Sequence, residues 1–505
     1  MAPRATAVVT AGLDPRTPVL VGAGQVTHRG QDGLEPAALM AEAVVRATGD
    51  AGLTAIPTPD SLRVVSLLSW RYRDPAHFVA ARLGITPRET ALTTPGGNSP
   101  QMLVNVTAGE IQRGDLDLAI LTGGEAWRTR TRARKAGEPL GWPQLPEGAE
   151  PGRRIGAELV MSSPEEQARG IVLPVQLYPM FETALRAAAQ DGAGEEVDEH
   201  QQRVSELWAR FSEVAATNPY AWTRQARTAE EIRTPSPDNR MIGLPYPKYM
   251  NSNNDVDQAA ALIMCSVDKA RSLGVVEDRW VFPHAGADCH EHPYVSNRWT
   301  LSETPAIRAG GQATLELAGV GIDDVEVVDL YSCFPSAVQL GAASLGLGLD
   351  RQLTRTGGLS FAGGPWNSYV LHAIATVMAD LRSRPGALGL VWANGGFATK
   401  HSFGVYGTRP PPAGFRHASP QDHVDAGPRR EVAPPEVAAG PATVEAYTVM
   451  HDRAGQPETG LAACLLADGR RAWGTTTDRD TVEALCDGEW VGRPVTLDAA
   501  GLLHL

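Results

Sequence analysis

The chain has 505 residues, 43% hydrophobic and 20% charged, so a large core is available and wholesale disorder is excluded. The formal charge of -13 sets nucleic acid aside as a primary partner. Five cysteines without a C-x-x-C pair make neither a disulfide framework nor a zinc ribbon, and they point to a reducing cytoplasm. No apolar run approaches the ~20 residues of a membrane span, and the first residues, MAPRATAVVTAGLDPRT, carry no apolar signal core.

Strand and helix patterns alternate from the start. Val19–Val21 reads as a buried strand running into a glycine turn, Glu35–Thr48 as a helix, SLRVVSLLSW as a strand and PAHFVAARLG as a helix. Pro100–Gln112 has helical spacing, and Leu116–Leu121 is a short strand ending in Gly123-Gly124-Glu125. Such alternation implies a parallel sheet with crossovers. From Trp127 to Met250 the chain turns rich in Arg, Glu and Pro, with a long helical pattern at Val197–Ala215, and reads as an insertion. Alternation resumes with a strand at Ala259–Cys265, a helix at Ala306–Ala318, the strand VEVVDLY, helices at Pro335–Leu345 and Trp366–Arg382, and a strand at Gly389–Ala393. The order of the first ~125 residues thus recurs over about 260–408. The Pro-rich stretch 409–441 reads as a linker, and 442–505 as a small β domain with hairpin turns at Arg453–Gly455 and Ala467–Gly469.

Four glycine-rich points now fall into line: TPGGNSPQ (94–101), DLYSCFPSA (329–337), GGLSFAGGP (357–365) and ANGGF (393–397). Their order and spacing over 14–408 resemble the thiolase superfamily, in particular sterol-carrier-protein-type thiolase-like proteins with an added C-terminal domain, a group that carries the label acetyl-CoA acetyltransferase. The most specific piece is NSPQMLVNVTAGEIQRGDLDLAILTGGE, which resembles the nucleophile-bearing helix and its strand. The resemblance implies an α/β thiolase fold: two similar βαβαβαββ halves in an α/β/α/β/α layering, with an inserted loop domain and an OB-like added β domain. The divisions are then 14–125 plus 251–268 for the first half, 126–250 for the insertion, 269–408 for the second half, 409–441 for the linker and 442–505 for the added domain.

Family thiolases use two cysteines, a histidine and an oxyanion-holding asparagine. A thiolate at a helix N-terminus attacks an acyl carbonyl, and a second thiol moves a proton at the α-carbon. This chain departs at each position. The C-x-S motif aligns with Gly97-Asn98-Ser99, G-H-P with Gly363-Gly364-Pro365, and C-x-G with Ala393-Asn394-Gly395. The H-D-C-F-x-x-N motif aligns with Tyr331-Ser332-Cys333-Phe334 and leaves Ala337 in place of the asparagine. No group is left to form the thioester of an ordinary thiolase.

Tyr331 stands where that branch has a catalytic histidine, and this resembles the steroid side-chain aldolases of the superfamily, which work with an OB-fold partner. A tyrosine carries a proton there if its pKa is lowered. Tyr369 is a second proton-carrier candidate, and packing against the sheet is its plainer role. Cys333 is either a reactive thiol or a buried small hydrophobe. Lys400 and His401 point to opposite faces of a strand, so one of them sees the pocket; His372, on a helix, is structural. HAGADCHEH (284–292) is dense in ligand types, but its spacing matches no standard zinc site, and the resemblance makes it a loop near the pocket; no metal is expected. Neither a phosphate loop nor a GxGxxG turn is present. Coenzyme A thioester, as substrate or ligand, follows from the resemblance, with Arg240, Lys248 and Asn253 as polar candidates and no covalently bound cofactor. Three readings compete: chemistry on acyl-CoA without the Cys/His/Cys set, an aldolase-type lyase centred on Tyr331, and a CoA-ester carrier without catalysis. The expected partner is acyl-CoA, with no nucleic acid and no membrane, and the expected state a monomer or a homodimer.

Overall fold

Close backbone approach shapes the first half. The strand Pro18–Thr27 runs under the helix Pro36–Asp50, which begins on a proline suited to a first helical turn. A Cβ at Gly22 would stand 2.2 Å from the Ala47 carbonyl oxygen, so only glycine lets the helix lie this close. The computed structural model describes residues 12–192 and 194–505; segment 1–11, which holds most of the stretch read as lacking a signal core, lies outside the described residues.

The first sheet has six strands in the order Pro18–Thr27, Asp257–Ser266, Leu118–Ala126, Ser61–Val64, Glu89–Thr93 and Arg153–Ile155. The second runs Val325–Leu330, Leu388–Gly395, Lys400–Gly407, Phe282–His290 and Arg416–Ala418. The first four strands of each sheet share one pairing pattern: two antiparallel contacts around the strand next to the repeat's first, and a parallel contact beyond. The helices Ser99–Arg113 and Tyr369–Ser383 touch both sheets and each other, forming the middle layer. Helices Pro36–Asp50 and Pro75–Leu83 cover the first sheet outside, and Pro305–Ala318 and Pro335–Leu345 the second. Buried polar side chains in this middle layer bond across to the second sheet. Tyr406 Oη donates to Gln101 Oε1 (2.7 Å), and Asn105 Nδ2 donates to the Phe403 carbonyl (3.2 Å).

Several expectations change. Residues 284–290 of HAGADCHEH, expected as a loop, lie in the strand Phe282–His290, paired on both edges. The strand is buried on both faces, so it lacks the alternation that marks a strand in sequence. The helix expected from Trp366 starts at Tyr369, because Trp366 has φ 47° and only a short 3-10 turn precedes the helix. The insertion returns one strand, Arg153–Ile155, to the first sheet. The stretch read as an irregular linker holds the strand Arg416–Ala418 and two short helices, Gln421–Asp425 and Pro435–Ala438. The C-terminal strands Arg471–Thr476, Pro457–Leu466, Gly440–His451, Pro494–Leu497 and Leu503–His504 form an antiparallel sheet that curls until Thr475 bridges Leu502. This sheet docks on the insertion, where Thr183 Oγ1 bonds both the N–H and the C=O of Tyr447, and on the second half, where Arg471 Nη1 donates to the carbonyls of Val295, Ser296 and Arg298.

Candidate functional site

The strand Glu89–Thr93 ends in a Gly96-Gly97 turn that feeds the helix Ser99–Arg113. Ser99 Oγ donates to the Thr94 carbonyl (2.8 Å) and closes this turn, and Asn98, at the position before the helix, turns its side chain away from the helix N–H groups so that Nδ2 reaches Ser402 Oγ at 3.4 Å. A Cβ at Gly97 would lie 2.4 Å from Tyr331 Oη and 2.4 Å from the Asn394 carbonyl oxygen. The volume of a nucleophilic side chain is therefore already occupied by a tyrosine hydroxyl and a backbone carbonyl. The same holds at Gly364, where a Cβ would meet Ser252 Oγ at 2.2 Å and Asn254 Oδ1 at 2.8 Å. Gly363 faces Gln258, and Gly395 faces Asn98. Ala337 and Ala393 are fully buried.

Tyr331 and Cys333 follow the strand Val325–Leu330 at its C-terminal end, beneath the helix Pro335–Leu345. Both are buried, and burial drives the Tyr331 hydroxyl well above its ordinary pKa and the Cys333 thiol up to about 12. Neither ionises near neutral pH, so Cys333 is no thiolate and Tyr331 keeps its proton. Tyr369 meets Tyr331 edge-on, with ring centroids 5.6 Å apart. Its hydroxyl shares a hydrogen bond with Thr356 (2.6 Å) and donates to Asp329 (3.4 Å), and burial, aided by the Asp329 charge, raises it as well. Asp329 also accepts from the Arg355 N–H (2.7 Å); burial pushes its carboxyl up to about 6. This group pins the 354–357 turn.

Sequence reasoning missed Tyr178. It comes from the insertion helix Pro174–Gly192, stacks on Phe334 (4.6 Å, 12°) and accepts from Asn394 Nδ2 (2.8 Å) and the Ala398 N–H (2.9 Å). The insertion thereby holds the 394–398 loop. No local pattern marks an aromatic on an amphipathic helix as the support of a loop more than two hundred residues away.

The three CoA candidates separate. Arg240 Nη1 donates to the Met241 and Asp452 carbonyls (2.9 Å each) and so clamps the C-terminal hairpin. Lys248 is exposed. The Asn253 backbone accepts from the Gly364 N–H (2.9 Å) and donates to the Leu359 carbonyl (3.0 Å), fixing the Gly363-Gly364 loop.

A cluster of arginines and tryptophans surrounds that loop. The Trp222 ring has the Arg29 guanidinium at 5.3 Å and that of Arg128 at 5.4 Å. Arg130 lies 4.9 Å over Trp127, and Trp127 packs against Trp366 at 5.0 Å. The Trp222 backbone N–H donates to the Ala362 carbonyl (2.8 Å), tying the cluster to the glycine loop. Burial, with the like charge of Arg224, holds Arg29 below its usual pKa. The Asp255 carboxylate lies 3.8 Å from Arg128. The aromatic-rich segments AWRTR and YAWTR carried this signal in the sequence.

Lys400 and His401 do part to opposite sides. The Lys400 ammonium donates to the Pro95 carbonyl, while His401 Nδ1 accepts from Trp392 Nε1 (3.3 Å), and burial drives its pKa down to about 3. His372 is also buried and driven to about 3. In the HAGADCHEH strand, His284 reaches the Arg409 carbonyl, Asp288 takes His417, and Cys289 donates to the Ala306 carbonyl. Among the described residues no three His, Cys, Asp or Glu side chains converge as metal ligands.

Residues 420–501 match the family model described as the additional C-terminal domain of thiolase-like protein type 1. A crystal structure of a monomeric SCP2-thiolase-like protein type 1 from Mycobacterium smegmatis is 33% identical, covers 96% of this chain and 97% of that one, and superposes with a TM-score of 0.81. The dimeric peroxisomal thiolase of Saccharomyces cerevisiae, 14% identical over 78% of this chain and 98% of that one, shares the fold with a TM-score of 0.54. An Ltp2–ChsH2(DUF35) aldolase, at 17% identity, 78% and 98% coverage and a TM-score of 0.58, also shares it. The benzoylsuccinyl-CoA thiolase subunit BbsB of Thauera aromatica is 26% identical over 133 residues; the match spans 26% of this chain and 32% of that subunit.

Proposed function

Given that the chain belongs to the SCP2-thiolase-like proteins of type 1, we propose that it binds coenzyme A thioesters on a thiolase body that forms no acyl-cysteine. The observation that carries this reading is the filled nucleophile position: Tyr331 Oη and the Asn394 carbonyl occupy the space of any side chain at Gly97. Loss of the thiolate removes the covalent intermediate, and what remains is recognition. The arginine–tryptophan cluster supports a nucleotide ligand. Trp222 and Trp127 offer flat faces to a purine, and Arg29, Arg128 and Arg130 offer guanidinium donors to a diphosphate. An overall acidic surface makes such a basic cluster more selective for a ligand that brings both an aromatic ring and phosphates.

If chemistry follows binding, Tyr331 enters it as a proton donor, because burial keeps it protonated. A lyase using it as the accepting base is not supported by its surroundings.

Titration of acetyl-CoA, acetoacetyl-CoA and a β-hydroxyacyl-CoA by calorimetry, with product followed by mass, tests the reading. Binding without an acyl-protein adduct is the expected result. Trp222→Ala is expected to weaken CoA-ester binding about tenfold while leaving the melting temperature within a few degrees. A covalent acyl adduct, or unchanged affinity in Trp222→Ala, overturns it.

A further inference from the structure

Lysine is scarce in this chain. Lys135, Lys248, Lys269 and Lys400 are the only four in 505 residues. Lys135 and Lys248 are exposed and Lys269 is partly so, whereas Lys400 is 8% exposed. Its Nζ lies against the nucleophile turn: a Cβ at Gly96 would be 2.7 Å from it. It donates to the Pro95 carbonyl and forms no ion pair with any described residue. A buried ammonium without a counter-ion is poorly solvated, which favours the neutral, nucleophilic amine. Burial accordingly lowers its pKa below the usual lysine value.

Lys400 opens onto a cleft of about 270 Å³, lined among others by Thr94, Asn98, Met102, Leu159 and Asp288. Ser402 pairs with Asp288 across the neighbouring strands, so Asp288 shares a sheet face with Lys400. Asp288 Oδ2 accepts from His417 Nε2 (2.6 Å) and Asn105 Nδ2 (3.2 Å), and its Oδ1 has no partner. Asn98 Oδ1 is likewise buried without a partner. Polar atoms awaiting a ligand therefore flank one buried amine. An anion is a poor occupant, because Asp288 lines the cleft and the charge of Glu158 also reaches Lys400.

We propose that this cleft is a covalent carbonyl-binding site, in which the Lys400 amine forms a reversible imine with a small aldehyde or ketone. The nitrogen lone pair makes the C–N bond and the carbonyl π pair moves to oxygen. The two amine protons leave with that oxygen as water, and the nitrogen then shares a double bond with carbon. No oxidant or reductant takes part. Asp288, with one free carboxylate oxygen, relays the departing protons. This site does not depend on the CoA-ester reading and lies behind the nucleophile turn.

The test is reductive trapping. The full-length protein is incubated near neutral pH with propanal and sodium cyanoborohydride, digested, and its four lysine peptides are quantified by mass. The Lys400 peptide is expected to gain the propyl group about tenfold faster than those of Lys135 and Lys248, since burial without a counter-ion disfavours its protonated form. Lys400→Arg is expected to abolish trapping at this position and keep a cooperative melt. A Lys400 peptide that stays unmodified, or is modified no faster than the exposed lysines, overturns the proposal. The wild-type map alone decides this if the variant does not fold.

Discussion

Gly97 has no side chain because Tyr331 stands in the volume one would need. Restoring a thiol there does not restore a nucleophile. Gly97→Cys forces a sulfur-bearing carbon against Tyr331 Oη and the Asn394 carbonyl, each 2.4 Å from its Cβ. Overpacking of this kind costs about 1–3 kcal/mol. Thermal unfolding is expected to show that loss, and Gly97→Cys combined with Tyr331→Phe is expected to recover part of it by removing the hydroxyl. A Gly97→Cys protein as stable as the parent, and acylated by acetyl-CoA, would show that room exists. The absence of the residue types was legible in the sequence. What filled their space was not, since Tyr331 and Ser252 reach Gly97 and Gly364 from distant parts of the chain.

At the scale of elements, the end of the strand Leu118–Ala126 carries a buried charge with a measurable signature. The Glu125 carboxylate accepts from the backbone N–H groups of Leu68 and Ser69, both at 2.7 Å, and so fastens the turn after Ser61–Val64. Burial nevertheless pushes its pKa up from 4.5 to about 7. A carboxyl with a raised folded pKa holds its proton more tightly in the folded state. Its stabilising contribution is complete below the ordinary carboxylate range and disappears as pH rises through about 7. The shift corresponds to roughly 3 kcal/mol. Denaturant unfolding is expected to show the parent chain losing stability relative to Glu125→Gln between about pH 5 and pH 8, while the buried His372 and His401, driven to about 3, add a slope of opposite sign in both proteins at lower pH. Asp329, raised to about 6 for the same reason, adds a decline common to both proteins. An unchanged slope in Glu125→Gln would assign the decline elsewhere. Elements with strong local pattern, such as the helix Val197–Thr217, were legible from spacing. Phe282–His290 and Arg153–Ile155 were not, because pairing partners rather than alternation make them strands.

For the whole molecule, the first and second sheets each carry a short covering strand at one edge. Arg153–Ile155 pairs in parallel with the edge strand Glu89–Thr93, and Arg416–Ala418 does the same for Phe282–His290. A covering strand of only 3 residues becomes the new edge and offers a second copy little ladder to pair with. Light scattering at micromolar concentration is expected to report a monomer. Ile155→Lys, which places a charge at a 4% exposed position, is expected to loosen the covering strand and shift the mass toward a dimer. A dimer in the parent chain would refute the role of this edge. No helix among the described residues is long and apolar enough to cross a membrane. The sequence by itself determined the repeated strand–helix order, the glycine frame and the loss of both catalytic cysteines and the histidine. Those are properties of local pattern and residue identity. Only the tertiary structure decided that the vacated positions are filled, that Tyr178 of the insertion holds the Asn394 loop, and that a lone lysine lies buried behind the nucleophile turn. Each depends on which distant segments pack together, and packing is a property of the folded chain, not of any window along it.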